Sequence, residues 1–548
     1  VFRHTGTTHL VAISGFNLAI VAGAAFFLLR WLWACIPRVC LWLPAQRVAA
    51  WGAALVAVFY ALLAGFEPPV ARALFMLLLI LAAAALDRLD TPSRVLAIAW
   101  LLIVLVDPCA VLTPGLWLSF GAVAAIFYLA TARWGRASRW GSALRVQVFL
   151  SVALAPLSLY YFHGLSWASP LLNLLAVPAF ALLTILLSVV AGLAAASTVA
   201  ATTLLPVLAD ALEFVLRGLQ TAARVWPSAW QAAAVPEGAL LLALLGACCL
   251  FAPPGLPLRR LGALCLLPLL VPQPVPVRGG LELHVLDVGQ GLAVLVRTPQ
   301  HSLLFDAGPA FDEGFDAGES VVVPALLKLG VRRLDALVLS HADNDHAGGI
   351  AAVQRLLPTD RQIGSGLAEA CRDGLRWEWD GVRFAFLHPP TPGDGSDNDE
   401  SCVLRIDGPY SILLPGDIER AAEQRLLDAH GDLLRADVLL APHHGSKSSS
   451  TAAFVAAVQP QWVIFASGWR NRFRHPRPEV VARYRDCEAH MAMTGESGAV
   501  TIFREAGALR IERWRERHRR FWNAAIALQP YWRREAEAVA PDDCAQLR

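Results

Sequence analysis

Between Leu337 and Ile350 the chain reads LVLSHADNDHAGGI: an apolar run, a cluster of His and Asp, then paired glycines. His341, Asp343, Asp345 and His346 are side chains of the kind that hold a divalent ion. Such an ion lowers the pKa of a bound water and makes a nucleophile at neutral pH. The bland alternative is a polar turn with a capping Asp and surface histidines, which does not call for so dense a set of ligands directly behind a buried strand. The neighbouring residues indicate what positions them. Leu337, Val338 and Leu339 predict a short buried strand, and Gly348-Gly349 lets the backbone bend and approach a neighbour closely.

More candidates stand at the ends of apolar strands elsewhere. Asp306 follows SLLF, Asp417 follows ILLPG, and His443-His444 follows DVLLAP. From residue 281 onward the pattern alternates as strands do, in LELHVLDV, AVLVRT, HSLLFDAG, DALVLS, VRFAFLHP, CVLRIDG, SILLPGD, DVLLAP and QWVIFASG. Helical patterns intervene at about 321–329, 348–357, 419–429, 451–458 and 478–487. Strands with interposed helices predict two sheets sandwiched between helices.

The first half has a different character. The chain of 548 residues is 56% hydrophobic and 16% charged, and its mean hydropathy is +0.50. Residues 1–272 hold 15 Arg, no Lys and 7 acids, against 31 Lys+Arg and 37 Asp+Glu in 273–548. A polytopic α-helical membrane domain (1–272) is therefore expected ahead of an α/β domain (281–508). VPQPVPVRGG forms a Pro/Gly linker whose last part is 273–280, and a basic-aromatic tail (509–548) closes the chain. Val1 is not a start methionine and the apolar character begins at once, so we expect a fragment of a longer chain.

Candidate spans run from His9 to Trp33 and over about 48–66, 70–86, 95–106, 116–131, 146–161, 169–196, 199–216, 238–252 and 261–272, giving 8 to 10 crossings. Arg30, Arg38 and Arg47, then Arg88 and Arg94, then Arg133, Arg136, Arg139 and Arg145 make alternate loops basic. By the positive-inside rule those loops face the cytoplasm, and ten crossings would deliver the second half to the outer face. Ser14, Asn17, Arg72, Ser119, His163 and Asn173 are polar groups within this apolar half. Helix–helix hydrogen bonding is the bland reading for Ser14, Asn17 and Ser119. Arg72 is a charge just inside a span, and Asn17, Arg72 and Asn173 are candidates for a polar pathway. The ten cysteines show no CxxC spacing. Cys371 and Cys402 are expected as buried free thiols, or as a disulfide if this domain lies outside the cytoplasm.

Residues 273–508 carry 22 basic and 31 acidic side chains, so a nucleic acid would be repelled except where basic groups concentrate. They do so in ASGWRNRFRHPRPEVVARYR (466–485), where Arg470, Arg472, Arg474 and Arg477 interleave with Trp469 and Phe473. These are candidates for gripping phosphates and stacking bases, the alternative being a solvated loop. His475 is a candidate general acid to the leaving oxygen. RIERWRERHRRFW (510–522) is expected as an exposed amphipathic helix, with the membrane surface as a partner.

HxDxDH is similar to the HxHxDH motif of the metallo-β-lactamase fold, with Asp343 where a second His usually stands. That departure resembles the hydrolase domain of the ComEC/Rec2 family of DNA-uptake channels. The resemblance extends through LDVGQG (286–291), LFDAG (304–308), LPGD (414–417) and PHHGS (442–446). In the apolar half it includes HLVAISGFNLAIVAG, AGFEPPVARALFM, LTPGLWLSFGAV and SPLLNLLAVP, and so covers most of the chain.

It implies an α/β metallo-β-lactamase-like (αββα sandwich) domain with two divalent ions. His341 and Asp343 would hold one, Asp345 and His346 the other, and Asp417 would lie between them. His444 completes the second position, with His443 as the alternative, and Asp306 supports a ligand His through its other ring nitrogen. Asp345 and Asp417 would be the catalytic carboxylates of two-metal phosphodiester hydrolysis. Where members of the fold have a third histidine, this chain offers Asn398 and Ser401, and Leu292 follows GQG in place of an Asp. The oxygen-rich set makes Mn²⁺ a competitor for Zn²⁺. The resemblance further implies passage of single-stranded DNA across the bacterial inner membrane, with the hydrolase domain on the periplasmic face. Other competence proteins or a homo-oligomer would be partners. The rival readings are a membrane-anchored hydrolase of another ester or lipid, and a channel with a non-catalytic hydrolase-like module.

Overall fold

The chain divides at Pro272 into two units, Val1–Pro272 and Gln273–Arg548. A computed structural model describes residues 2–11, 15–86, 91–131, 139–162, 164–226, 230–232, 237–251, 258–269, 275–311, 314–391 and 398–520. Ser14, His163, Arg88, Arg133, Arg136, the junction residues 271–274 and the tail beyond 520 lie outside the described residues.

Among the described residues of the first unit five helices are long and apolar enough to cross a membrane: Gly15–Ala34, Ala45–Leu63, Pro68–Ala85, Gly141–Phe162 and Ser169–Leu193. Pro92–Val106, Pro114–Ala130 and Gly238–Leu250 are apolar and shorter. Proline opens the helices at Pro68 and Pro92, where its missing N–H would have had no intrahelical partner. The buried positions of Ala45–Leu63 are all alanine: Ala49, Ala50, Ala53, Ala57 and Ala61. Leu55 and Leu63 of the same helix are exposed. Small residues inside and leucine outside suit helices that pack closely in an apolar solvent. A two-stranded antiparallel ribbon, β1 (Gly164–Ser166) with β2 (Trp230–Ala232), interrupts the helices.

Residues 199–216 lie inside the longer helix Thr198–Val225, which also bears Arg217 and Arg224. One expected span differs. Residues 261–272 begin inside a nine-residue helix, Leu258–Leu266, followed by the turn Leu267–Leu269. At 1.5 Å per residue such a helix falls well short of the roughly 30 Å hydrocarbon core. It is seated instead against Glu237–Leu250, so closely that a Cβ on Gly262 would lie 2.5 Å from Leu250 N. The ten-crossing count that oriented the second unit therefore loses its last member.

Arg72 is buried, and its guanidinium lies over the backbone of Gly115, where an added Cβ would come within 2.4 Å of Nη2. Its Nε has no hydrogen-bond partner among the described residues. Asn173 Nδ2 donates to Ser169 Oγ at 2.9 Å, and Asn17 Oδ1 accepts from Thr184 Oγ1 at 3.5 Å.

Among its described residues the second unit contains β3 (Glu282–Val285), β4 (Val294–Arg297), β5 (Ser302–Phe305), β6 (Leu334–Leu339), β7 (Thr359–Gly364), β8 (Arg376–Trp379) and β9 (Val382–His388). They are followed by β10 (Val403–Asp407), β11 (Ser411–Leu414), β12 (Val438–Leu440), β13 (Trp462–Phe465), β14 (His490–Met493), β15 (Val500–Glu505) and β16 (Ala508–Arg513). One sheet has the order β16-β15-β3-β4-β5-β6-β7 and the other β14-β13-β12-β11-β10-β9-β8. Their facing sides meet through Leu283, Val294, Phe305 and Val338 from one sheet and Phe384, Ile406, Ile412 and Ile464 from the other. A second core, including Leu413, Leu439, Phe454, Val480 and Tyr484, lies between the other face of the second sheet and the helices Arg420–His430, Ala452–Val458 and Pro478–Asp486. Burying each such side chain contributes about 1.5–3 kcal/mol.

Two expectations are corrected here. Residues 508–513 form β16 antiparallel to β15, and among the described residues that follow only Trp514–Arg517 is helical. The alternation of Leu509 and Ile511, which pack on the inter-sheet core, overrides the helical look of the charges. Cys371 and Cys402, expected as free thiols with a disulfide as the alternative, are bonded, with Cα atoms 6.0 Å apart. Gly374 N donates to Phe386 O and Phe386 N to Leu375 O, folding the stretch after Cys371 along β9. Since β10, which pairs with β9, starts just after Cys402, both cysteines reach the same sheet end. Cys487 is also disulfide-bonded. The free cysteines among the described residues, Cys35, Cys40, Cys109, Cys248, Cys249 and Cys265, are all in the first unit.

Candidate metal centre

β5, β6 and β7 run parallel, as do β11, β12 and β13, and the candidate ligands emerge where these strands end. Asp306 follows β5 with φ 59°, His341 comes two residues after β6, Asp417 three after β11, and His443-His444 lie in the turn beyond β12. Rigid strand ends aim side chains from distant parts of the sequence at one point.

Asp345, His346, Asp417 and His444 offer ligand atoms that all lie within 4.8 Å of one another. His346 Nε2 is 3.2 Å from Asp417 Oδ1 and 3.2 Å from His444 Nε2. His444 Nε2 is 3.2 Å from Asp345 Oδ2 and 3.3 Å from Asp417 Oδ2. Behind them Asp306, fully buried, accepts from His346 Nδ1 at 2.7 Å, from Ser340 N at 2.7 Å and from Ser340 Oγ at 2.8 Å. Ser340 Oγ in turn accepts from His341 Nδ1 at 3.0 Å. The network fixes Nδ1 as the donor on both imidazoles and turns each Nε2 toward the centre. Ser340 was not among the candidates, although a small hydroxyl residue between a buried strand and the first His is a visible signal.

His341 and Asp343 complete less. His341 is buried, its Nε2 has no hydrogen-bond partner among the described residues, and Asp343 Oδ2 stands 3.6 Å away. The Asp343 side chain is 60% exposed and begins the helical turn Asn344–Ala347. His443 faces elsewhere: its Nδ1 is 3.0 Å from Glu419 Oε1 and its Nε2 3.8 Å from Asp417. The neighbouring histidines diverge because both sit in left-handed backbone, at φ 46° and 55°. Asn398 starts a short turn, Asn398–Glu400. It is Ser401 whose Oγ accepts from Asp417 N at 3.2 Å. Leu292 is buried, and its N–H donates to Asp345 O at 3.1 Å.

Electrostatics tie the set together. Burial alone would raise the Asp417 carboxyl, but His346 and His444 hold it well below the usual range. Burial opposes charge on His444, yet Asp417 and Asp345 push it up to about 9. His346 is likewise raised by Asp417 and Asp306 against its burial. Asp345, despite burial, is brought down to about 2 by His444 and His346. His341 is lowered by burial and by the charge of His346. Two imidazolium protons thus offset buried carboxylates, and a divalent cation replaces that charge directly. The orphaned Nε2 of His341 and the converging mixed N/O donors fit such an ion.

His475 lies beside His443, with ring centroids 5.9 Å apart. Burial, then the neighbouring His444 and His443, lower it to about 4, so its imidazole is neutral near pH 7. Arg470, Arg472 and Arg474 are exposed, while half-buried Arg477 precedes the helix Pro478–Asp486 and donates its backbone N–H to Gly445 O at 2.9 Å.

Residues 1–256 match the family described as Competence protein, and residues 286–468 match the Metallo-beta-lactamase superfamily. Over 527 residues the chain is 38% identical to Competence protein ComA of Neisseria gonorrhoeae, covering 94% of this chain and 73% of that one. This chain belongs to the ComEC/Rec2 family of competence proteins. It is also 31% identical to Uncharacterized protein YcaI of Escherichia coli (strain K12), over 94% of this chain and 69% of the relative. With ComE operon protein 3 of Bacillus subtilis (strain 168) the identity is 26%, over 91% and 68%. As a member of this family the chain joins a helical membrane unit to a metallo-β-lactamase-type, metal-dependent hydrolase domain.

Proposed function

We propose that the protein is a DNA-uptake channel of the bacterial inner membrane, passing single-stranded DNA during natural transformation, and that its second unit is a nuclease acting on incoming DNA. The observation that carries the reading is the convergence of Asp345, His346, Asp417 and His444 in a chain of the competence family. Two ions, Mn²⁺ or Zn²⁺, would be held by His341 with Asp343 and by Asp345, His346 and His444, with Asp417 shared. Bound there, they supply an activated water and positive charge for the phosphate oxygens.

The chain's own residues do the rest. Asp306 and Ser340 orient His346 and His341, so that their Nε2 atoms stay available. His475, neutral near pH 7, is suited to donate a hydrogen bond to a phosphate or leaving oxygen rather than to act as a charged acid. Arg470, Arg472, Arg474 and Arg477 take the DNA backbone. Replacing the first three with Ala is expected to lower the salt dependence of binding by about one unit of slope for each phosphate no longer neutralised. In the membrane unit Asn17, Arg72 and Asn173 line the strand's path. Arg72 is the strongest of the three, because a buried guanidinium whose Nε has no partner among the described residues favours a passing anion. The hydrolase domain spans 281–508 with the 273–280 linker before it, and its sheet continues into β16 at the start of the tail.

The domain faces the outer side of the membrane. With the ten-crossing count weakened, the support comes from disulfide-bonded Cys371, Cys402 and Cys487 in the second unit, against free cysteines in the first. A membrane-impermeant thiol reagent applied to intact cells should label Ala429→Cys, an exposed helix position, above the background of the unsubstituted protein. Labelling only after lysis would reverse the orientation.

The deciding experiment is hydrolysis of single- and double-stranded DNA by the purified chain, with Mn²⁺, Zn²⁺ or chelator. Metal-dependent cleavage is expected. Cleavage of lipid or other esters, with DNA untouched, would favour an anchored hydrolase of another substrate.

A further inference from the structure

We propose that two loops bordering the metal centre form a stacking platform for unpaired bases, so that the site takes single-stranded in preference to duplex DNA. The inference deepens the nuclease reading and rests on it.

Large apolar side chains exposed among the described residues of the second unit are Phe311, Phe315, Leu433, Trp469, Phe473 and Trp514. Four of these six lie on two loops that meet one turn of the chain, Gly289–Gln290–Gly291. An added Cβ on Gly291 would lie 3.1 Å from Pro309 Cδ, where the first loop begins, and 2.3 Å from the backbone oxygen of Asp345. Gly468, where the second loop begins, donates its N–H to Gln290 Oε1 at 3.3 Å. Ala310 N also donates to Asn344 Oδ1 at 3.4 Å, between the candidate ligands Asp343 and Asp345. Both aromatic pairs therefore border the carboxylates that would act on a phosphodiester.

The described residues of both loops are tied together by hydrogen bonds and ring contacts. Phe311 N donates to Phe315 O at 2.7 Å, and the two rings stack at 6.3 Å with 29° between their planes. In the second loop Asn471 Nδ2 donates to Gly468 O and His475 O, at 3.0 and 2.6 Å, and Oδ1 accepts from His475 N at 2.9 Å. The arginines extend the aromatic faces: Arg470 lies 5.5 Å from the Trp469 ring and Arg472 4.6 Å from that of Phe473. Pre-ordered aromatic planes beside guanidinium groups receive bases and phosphates together, at small entropic cost. A duplex offers the phosphates but keeps its base faces stacked inside. Isolated surface aromatics need no explanation, but four concentrated at the rim of one site do.

The test uses the whole 548-residue chain in detergent with EDTA, to prevent cleavage, and photocross-linking by oligonucleotides bearing 5-iodouracil, mapped by mass spectrometry. Single strands are expected to cross-link to Phe311, Phe315, Trp469 or Phe473. Duplexes and strands abasic around the probe should do so weakly. Replacing either pair with Ala should lower the yield roughly tenfold, in line with the loss of about one stacked base, and Phe311→Trp with Phe315 intact should keep it. Equal yields from duplex and single strand, or yields unaffected by the substitutions, would overturn the platform while leaving the nuclease reading in place. Such aromatics would then belong to a membrane or protein contact. No cross-link anywhere in the second unit with any DNA would overturn both.

Discussion

The two halves of the metal centre start from one short motif and end in different surroundings. On one side His346 is fully buried, backed by Asp306 and Ser340, and faces Asp417 and His444. On the other, the Nε2 of buried His341 has no hydrogen-bond partner among the described residues, and the largely exposed Asp343 stands 3.6 Å from it. A dry, fully braced ligand set holds an ion through charge and fixed geometry, whereas an exposed carboxylate must first be ordered and is screened by water. The difference teaches that the candidate ligands are unequal: four side chains converge in one group, while His341 and Asp343 stand beside it less completely braced, and a second ion held there would be the weaker of the two.

The comparison breaks most sharply at Asp417, the one carboxylate both halves would share. Asp417→Ala is expected to abolish hydrolysis and to lower metal content at both positions, measured by elemental analysis after dialysis. Activity that survives this change, or that ignores chelators, would sink the two-metal reading.

Next comes the bracing. Asp306→Ala leaves every direct ligand in place but frees His346 Nδ1, and should weaken metal binding about 10–100-fold at the tight position. Titration calorimetry with Mn²⁺ checks it, and two equally weakened positions would mean the halves are not distinct.

A gentler probe is pH. In the metal-free chain His444 is raised to about 9, so below that pH a proton must leave before the imidazole can serve as a ligand. Affinity at the tight position should rise with pH up to about 9, by roughly tenfold per pH unit for each proton released. The same raised value stabilises the metal-free fold at neutral pH and is lost as pH climbs through 9, so chelated protein should become less stable there. A pH-independent affinity would contradict this protonation scheme.

The smallest effect is expected on the open side. Asp343→Ala should lower affinity only modestly, because that carboxylate is already mostly in water. Asp343→His should shift preference from Mn²⁺ toward Zn²⁺ without stopping turnover. A loss as complete as that of Asp417→Ala would make the two sides equivalent after all.

What the sequence determined alone was local or compositional. His341, Asp343, Asp345 and His346 are close enough in the chain for a strand end, a turn and a helical turn to present them together. The apolar first half, the strand patterns of β3 to β6 and β9 to β13 and the Arg-rich loop likewise show in short windows of sequence, whereas the more polar β7 and β8 do not. Some short windows still misled: Leu509 and Ile511 belong to an edge strand, and the nine-residue helix at 258–266 is not a full span. Only the tertiary structure decided what depends on pairing between distant segments. His346 meets Asp306 from 40 residues away and His444 from 98, and the left-handed turn at 443–444 selects one of two adjacent imidazoles for the centre. The same holds for Cys371 and Cys402, 31 residues apart. The pairing of β9 with β10 brings them together, and neither spacing nor composition records it. Convergence of this kind is set by sheet register and core packing, where each strand's position depends on all the others.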